Sequence, residues 1–81
     1  MPLFFFDVRS RCDLKADDTG LELASAEVAY LEACKAIPGL TADLVRAGNT
    51  PQSYAFEVTD EAGRLLWLIP FSEILDRAGQ P

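Results

Sequence analysis

Four carboxylates, Asp13, Asp17, Asp18 and Glu22, crowd one short stretch of the chain. Carboxylate oxygens at that density suit a hard cation such as calcium, which takes roughly six to eight oxygen ligands. The stretch lacks the alternate-position ligands and terminal bidentate Glu of an EF-hand loop. It therefore reads as a solvated turn, with Gly20 free to take the bend. Asp7 is the next candidate, because it interrupts a run of aromatic residues. Buried, it would be a carboxylate of raised pKa and a general-acid candidate. The pleat instead sets it opposite Phe4, Phe6 and Val8, on a solvent face beside Arg9 and within reach of Arg11 or Arg64.

Cys12 follows Arg11, a setting that favours a thiolate, whereas Cys34 falls on an apolar helical stripe and reads as a small hydrophobe. The chain contains no His. Neither thiol, nor Ser10, Ser25, Ser53 or Ser72, thus has the usual partner base of a nucleophile. Two cysteines with no other ligand type nearby do not make a zinc site, and no glycine-rich phosphate loop or cofactor fingerprint is present. The expectation is no catalytic residue, no metal and no cofactor.

Composition narrows the partners. The chain has 81 residues, 49% of them hydrophobic, and thirteen acidic against seven basic residues give a net charge of -6. That length fits one domain spanning 1-81. The acidic balance disfavours a surface that tracks phosphates. Phe4, Phe6, Tyr54, Phe56 and Trp67 therefore read as core, not as a stacking platform for bases. No stretch reaches the roughly 18 apolar residues of a membrane span. The opening Met1-Pro2-Leu3-Phe4 has no basic region of the secretory type. With Cys12 and Cys34 read as reduced thiols, the expected location is the cytoplasm, with no nucleic-acid or membrane partner.

The elements that must hold these residues follow from periodicity. Phe4, Phe6 and Val8 alternate with Leu3, Phe5, Asp7 and Arg9, which predicts a strand over 3–9. Leu14 to Ala16 returns as a short second strand, and Asp17-Asp18-Thr19-Gly20 is a turn. Ser25 predicts a helix N-cap, with Glu27 in the first turn. Tyr30, Ala33, Cys34, Ile37, Leu40, Thr41, Leu44 and Val45 form one stripe of that helix. Pro38-Gly39 predicts a kink or two abutting helices, and Gly48-Asn49 ends the segment. Tyr54, Phe56 and Val58 predict a third strand, Asp60-Glu61-Ala62-Gly63 a turn, and Leu65 to Ile69 a strand apolar on both faces. Pro70 stops that strand, and Ser72 caps a short final helix through Ile74 and Leu75.

The fold class is thus α+β, a two-layer ββαββ(α) arrangement. One mainly antiparallel four-stranded sheet is packed by the central helix, with the first and fourth strands placed centrally as the most apolar. The segments Phe4-Phe5-Phe6-Asp7-Val8, Asp17-Asp18-Thr19-Gly20-Leu21-Glu22-Leu23, Phe56-Glu57-Val58 and Pro70-Phe71-Ser72-Glu73 carry a resemblance. Together the chain resembles a family of short bacterial proteins catalogued only as a domain of unknown function. Pro38-Gly39 departs from that family's uninterrupted helix. The resemblance implies the fold class and no activity.

Function is expected from an excess of apolar residues. If Phe4, Phe6, Val8, Tyr54, Phe56, Val58, Leu65, Trp67 and Ile69 face the helix, then Leu3, Phe5, Leu66 and Leu68 turn outward, with Phe71 beside them. These five form a candidate interface. The leading expectation is a small non-enzymatic interaction or regulatory module whose partner is another protein or a second copy. The alternative is a small-ligand or divalent-cation binder using the acidic turn from Asp13 to Glu22. A third is an acidic nucleic-acid mimic or toxin-neutralising protein.

Overall fold

The computed structural model describes residues 1–78, with side chains through Leu75. Strand β1 (Leu3–Arg9) is followed by two-residue strands β2 (Leu14–Lys15) and β3 (Leu21–Glu22). Helix α1 (Ala26–Arg46), a 3-10 turn (Pro51–Ser53), strands β4 (Ala55–Asp60) and β5 (Leu65–Pro70), and helix α2 (Phe71–Ala78) complete the order. All strand pairings are antiparallel, and the chain is α+β as the alternation patterns predict. The short β3 was not legible as a strand. It pairs Leu21 with Phe4 and Glu22 with Leu3, while β2 pairs with Val8 and Arg9 on the same edge of β1.

The sheet order is β2-β1-β4-β5. The central pair is therefore β1 and β4, which corrects the expectation that the Leu65–Ile69 strand is central. Apolar residues on both faces misled that reading. The helical crossover lays β4 against β1 in a full register from Phe4↔Asp60 to Arg9↔Ala55, and the tight turn after Asp60 can only place β5 outside it. That turn is tied by Asp60. Its carboxylate accepts the N–H groups of Ala62 and Arg64, both at 2.9 Å, and the Arg64 Nε at 2.9 Å.

Helix α1 opens as expected, with Ser25 Oγ accepting the Val28 N–H at 3.2 Å. It closes in a Schellman motif: the Asn49 N–H donates to the Leu44 carbonyl and the Gly48 N–H to the Val45 carbonyl, with Gly48 at φ 85°. Pro38 lies inside one continuous helix. The predicted break is absent as a boundary, because Ile37 on one side and Leu40 and Leu44 on the other are held to the same core. That packing offsets one missing intrahelical bond. Leu44 in the last turn packs on the core, but Val45 beside it is exposed and not part of the buried stripe.

The core is Phe4, Ala29, Ala33, Ile37, Phe56, Val58, Ile69 and Phe71. Ala29 and Ala33 let the helix approach the sheet closely. Phe71 joins Phe56 at 5.2 Å between ring centroids, and Trp67 stacks obliquely on Tyr30 at 5.0 Å while donating its indole N–H to the Ala26 carbonyl at 2.9 Å. Strand β5 passes straight into α2, which begins at Phe71, so Ser72 sits inside the first turn and is not its cap.

Candidate functional site

The acidic turn is a structural device. Between β2 and β3 the outer edge of β1 has no pairing strand, and Asp17 fills the gap: its Oδ2 accepts the Phe6 N–H at 3.1 Å. Its Oδ1 accepts the N–H groups of Thr19 and Gly20 at 3.0 and 3.1 Å. Asp17 in turn donates its own N–H to Asp7 Oδ1 at 2.8 Å. Partial burial pushes the Asp17 carboxyl up, but the N–H groups of Phe6, Gly20 and Thr19 outweigh it, so its pKa is lowered. Asp13 spends Oδ1 on the Leu14 N–H. Among the described residues no group of three or more acidic or cysteine side chains is arranged to hold a metal ion.

Asp7 is thus half-buried under this turn and bonded to a backbone amide, not paired with Arg11 or Arg64. Arg9, beside it on the outer face, pairs instead with Glu57 across the sheet, and this contact raises the Arg9 pKa. Arg64 pairs with Asp60. The Asp60 carboxyl is lowered chiefly by the Arg64 N–H, against a smaller upward push from desolvation. Cys12 and Cys34 are both unpaired, Cys12 exposed and Cys34 half-buried. Cys12 borders a cleft of about 340 Å³ with Arg11, Asn49, Thr50 and Tyr54. A second cleft of about 330 Å³ runs between Val8, Leu40 and Leu44. Ser10, Asp13 and Lys15 also line the second cleft.

The five expected interface residues do not stay together. Leu3 and Phe5 are half-buried, because the turn folds over them: a Cβ built on Gly20 would stand 3.0 Å from Leu3 Cγ and from Phe5 Cε2. Phe71 is 0% exposed, so it belongs to the core. Leu66 packs against the core while Leu65 is 55% exposed. The expected facing of these two is reversed, and the cause is an irregularity in register. Val58 pairs with Trp67 but Thr59 pairs with Leu65, so Leu66 is an extra residue in β5. Such a bulge flips the alternation beyond it. Leu68 alone behaves as expected, on the outer face at 57% exposure.

What this geometry brings together is an edge that residue patterns did not single out. The Phe71 N–H donates to the Tyr54 carbonyl at 2.9 Å. This sets the phase of the β4–β5 ladder: Phe56/Ile69 and Val58/Trp67 are hydrogen-bonded pairs, and Glu57/Leu68 is not. The Leu68 N–H and C=O therefore point away from β4. Pro70, on the same outward phase, has no N–H to offer, which suits a strand at a sheet edge. Among the described residues no strand pairs with this side of β5. The strand from Leu65 to Pro70 carries no charge, where edges are commonly protected by Lys or a covering loop. One legible signal was available: a strand apolar on both faces ending in Pro.

No helix among the described residues is long and apolar enough to cross a membrane. No curated protein and no solved structure matches the chain. Residues 3–72, from the first strand to the start of the final helix, match a family whose description is "Domain of unknown function (DUF6894)", and the chain belongs to that family.

Proposed function

We propose that this protein is a small non-enzymatic interaction module that recruits an extended strand of a protein partner to the open edge of β5. The observation that carries the reading is the outward-facing Leu68 amide and carbonyl on an uncharged edge strand, flanked by exposed Leu65 and Leu68 side chains. Strand addition gives affinity through main-chain hydrogen bonds and selectivity through alternate side-chain positions. The outer face behind the edge is mixed, with the Arg9–Glu57 pair and Asp7 in its middle. A partner strand thus meets an apolar margin and a polar field next to it.

The reading takes a protein, not a nucleic acid or a membrane, as the ligand, in keeping with the net charge of -6. It places the protein in the cytoplasm, where the thiols of Cys12 and Cys34 stay reduced.

A photo-crosslinking residue at position 68, introduced in the producing cell, tests it. The expected result is a covalent adduct with a polypeptide, absent when the probe stands at Leu31, an exposed residue of α1. Absence of any adduct from position 68 under conditions where the protein is abundant overturns the reading.

A further inference from the structure

We infer that the crevice between β1 and the C-terminal half of α1 binds a small organic monoanion with a compact apolar body, such as a medium-chain or aryl carboxylate. It lies on the β2 side of the sheet, the far edge from β5, and is independent of strand addition there. Two clefts meet in it. One of about 330 Å³ and one of about 340 Å³ share Ser10 and Tyr54 as a common wall. Each alone reaches the lower end of the roughly 300–1,000 Å³ that small-molecule sites occupy.

The two halves differ in lining, and the difference selects the ligand. Val8, Leu40 and Leu44 make the first half apolar. Val8 pairs with Lys15, and residues directly opposite in an antiparallel pair share a face, so Lys15 stands on the inner face at this rim. Asp13 lines the same half, so one cation and one carboxylate offset each other there. In the second half Arg11 is the only charged lining residue, and Asn49 and Thr50 supply side-chain donors beside it. Among the described residues Arg9, Lys35, Arg46 and Arg64 are each held in an ion pair, whereas Arg11 and Lys15 are not. In a chain with thirteen acidic residues, both unpaired cations thus border this one crevice. The carbonyls of Asp43, Leu44 and Val45 accept the N–H groups of Ala47, Asn49 and Gly48, so these acceptors at the end of α1 are not left bare against an anion. An apolar body between Val8 and Leu44, with its anionic head at Arg11, matches each half to its own chemistry.

The test is a proton–nitrogen correlation spectrum of the full chain, titrated separately with octanoate, octanol and octylammonium. Octanoate is expected to move the amide signals of Val8, Arg11, Leu44 and Tyr54 saturably, with a Kd on the order of 1 mM, and to leave that of Leu68 in place. Octanol should bind about two- to fivefold more weakly, the worth of one exposed ion pair, and octylammonium more weakly still. Arg11→Gln should bring octanoate down to the octanol level and leave octanol unchanged. Arg11 is an exposed residue of the turn between β1 and β2, and the same spectrum reports whether the variant is folded. If it is not, the three ligands on the unsubstituted chain decide.

Octylammonium binding as tightly as octanoate would overturn the anionic head, and so would a folded Arg11→Gln variant that binds octanoate unchanged. Octanoate shifts that never saturate, or that scatter over the surface, would remove the site altogether. Crosslinking from position 68 is indifferent to each of these results, so this inference and the strand-addition reading fail separately.

Discussion

Asp7 accepts the backbone N–H of Asp17 at 2.8 Å, so the carboxylate that breaks an aromatic strand anchors the turn that crosses it. Asp17 answers by taking the Phe6 N–H. Two acidic residues ten positions apart thereby complete the edge of β1 where backbone pairing lapses. This arrangement gives Asp7 and Asp17, among the clustered acidic residues, a backbone partner each.

Replacing Asp17 by Ala should destabilise the fold by about 1–3 kcal/mol, since three backbone donors lose their acceptor. Urea unfolding followed by Trp67 emission measures this. A cost below about 0.5 kcal/mol, the range of an ordinary surface substitution, would deny Asp17 its structural role.

Acid should weaken the protein through the same residue. The folded pKa of Asp17 is lowered, as is that of Asp60. Each therefore adds stability that is fully present above the unfolded value near about 3.9 and is lost as pH falls through the lower folded value. Unfolding free energy should fall steadily below about pH 4, and the slope should be shallower in Asp17→Asn. An equal slope in that variant would show that other carboxylates carry the acid sensitivity.

Gly20→Ala should be costly, because the residue sits at φ 76° and its Cβ would press on Leu3 and Phe5. Gly39→Ala should act the opposite way: it lies within α1, nothing stands within 4 Å of the added methyl, and helix propensity favours Ala by about 0.8–1 kcal/mol. Thermal unfolding of the two variants should move in opposite directions, and a shift in one direction for both would contradict the packing of the turn over β1.

The bulge in β5 separates neighbouring leucines. Leu66→Ala should cost roughly 1–3 kcal/mol as a partly buried core-contacting residue, while Leu65→Ser should stay within about 0.5 kcal/mol. The reverse order would restore a regular alternation through 65–69. Phe71→Ala, at a fully buried ring, should cost about 3–5 kcal/mol and serves as the core reference.

Local periodicity made much of this fold legible. Phe4, Phe6 and Val8, and Phe56 and Val58, advertise their inner face at every second residue, and Ser25 announces α1 through a bond only three residues long. What escaped depends on contacts between distant segments. Nothing in Asp17 itself says that its acceptor will meet the Phe6 N–H, because that depends on where β2 and β3 stop. The reversal of Leu65 and Leu66 follows from one extra residue opposite Thr59, and apolar side chains on both faces of a strand do not say whether a neighbour lies alongside. Phe71 read as surface because the chain turns inward directly after Pro70, without a loop.

The register between β1 and β4 joins residues about fifty positions apart, and it governs how the molecule comes into being. During synthesis the Phe4-Phe5-Phe6 segment emerges before α1 and well before its partner strand. Its inner-face aromatics have nowhere to be buried until residues 55–60 arrive. Distant strand pairing of this sort slows folding and leaves apolar surface exposed to other chains meanwhile. Until that pairing closes, the segment Phe4-Phe5-Phe6 is the adhesive part of the nascent domain.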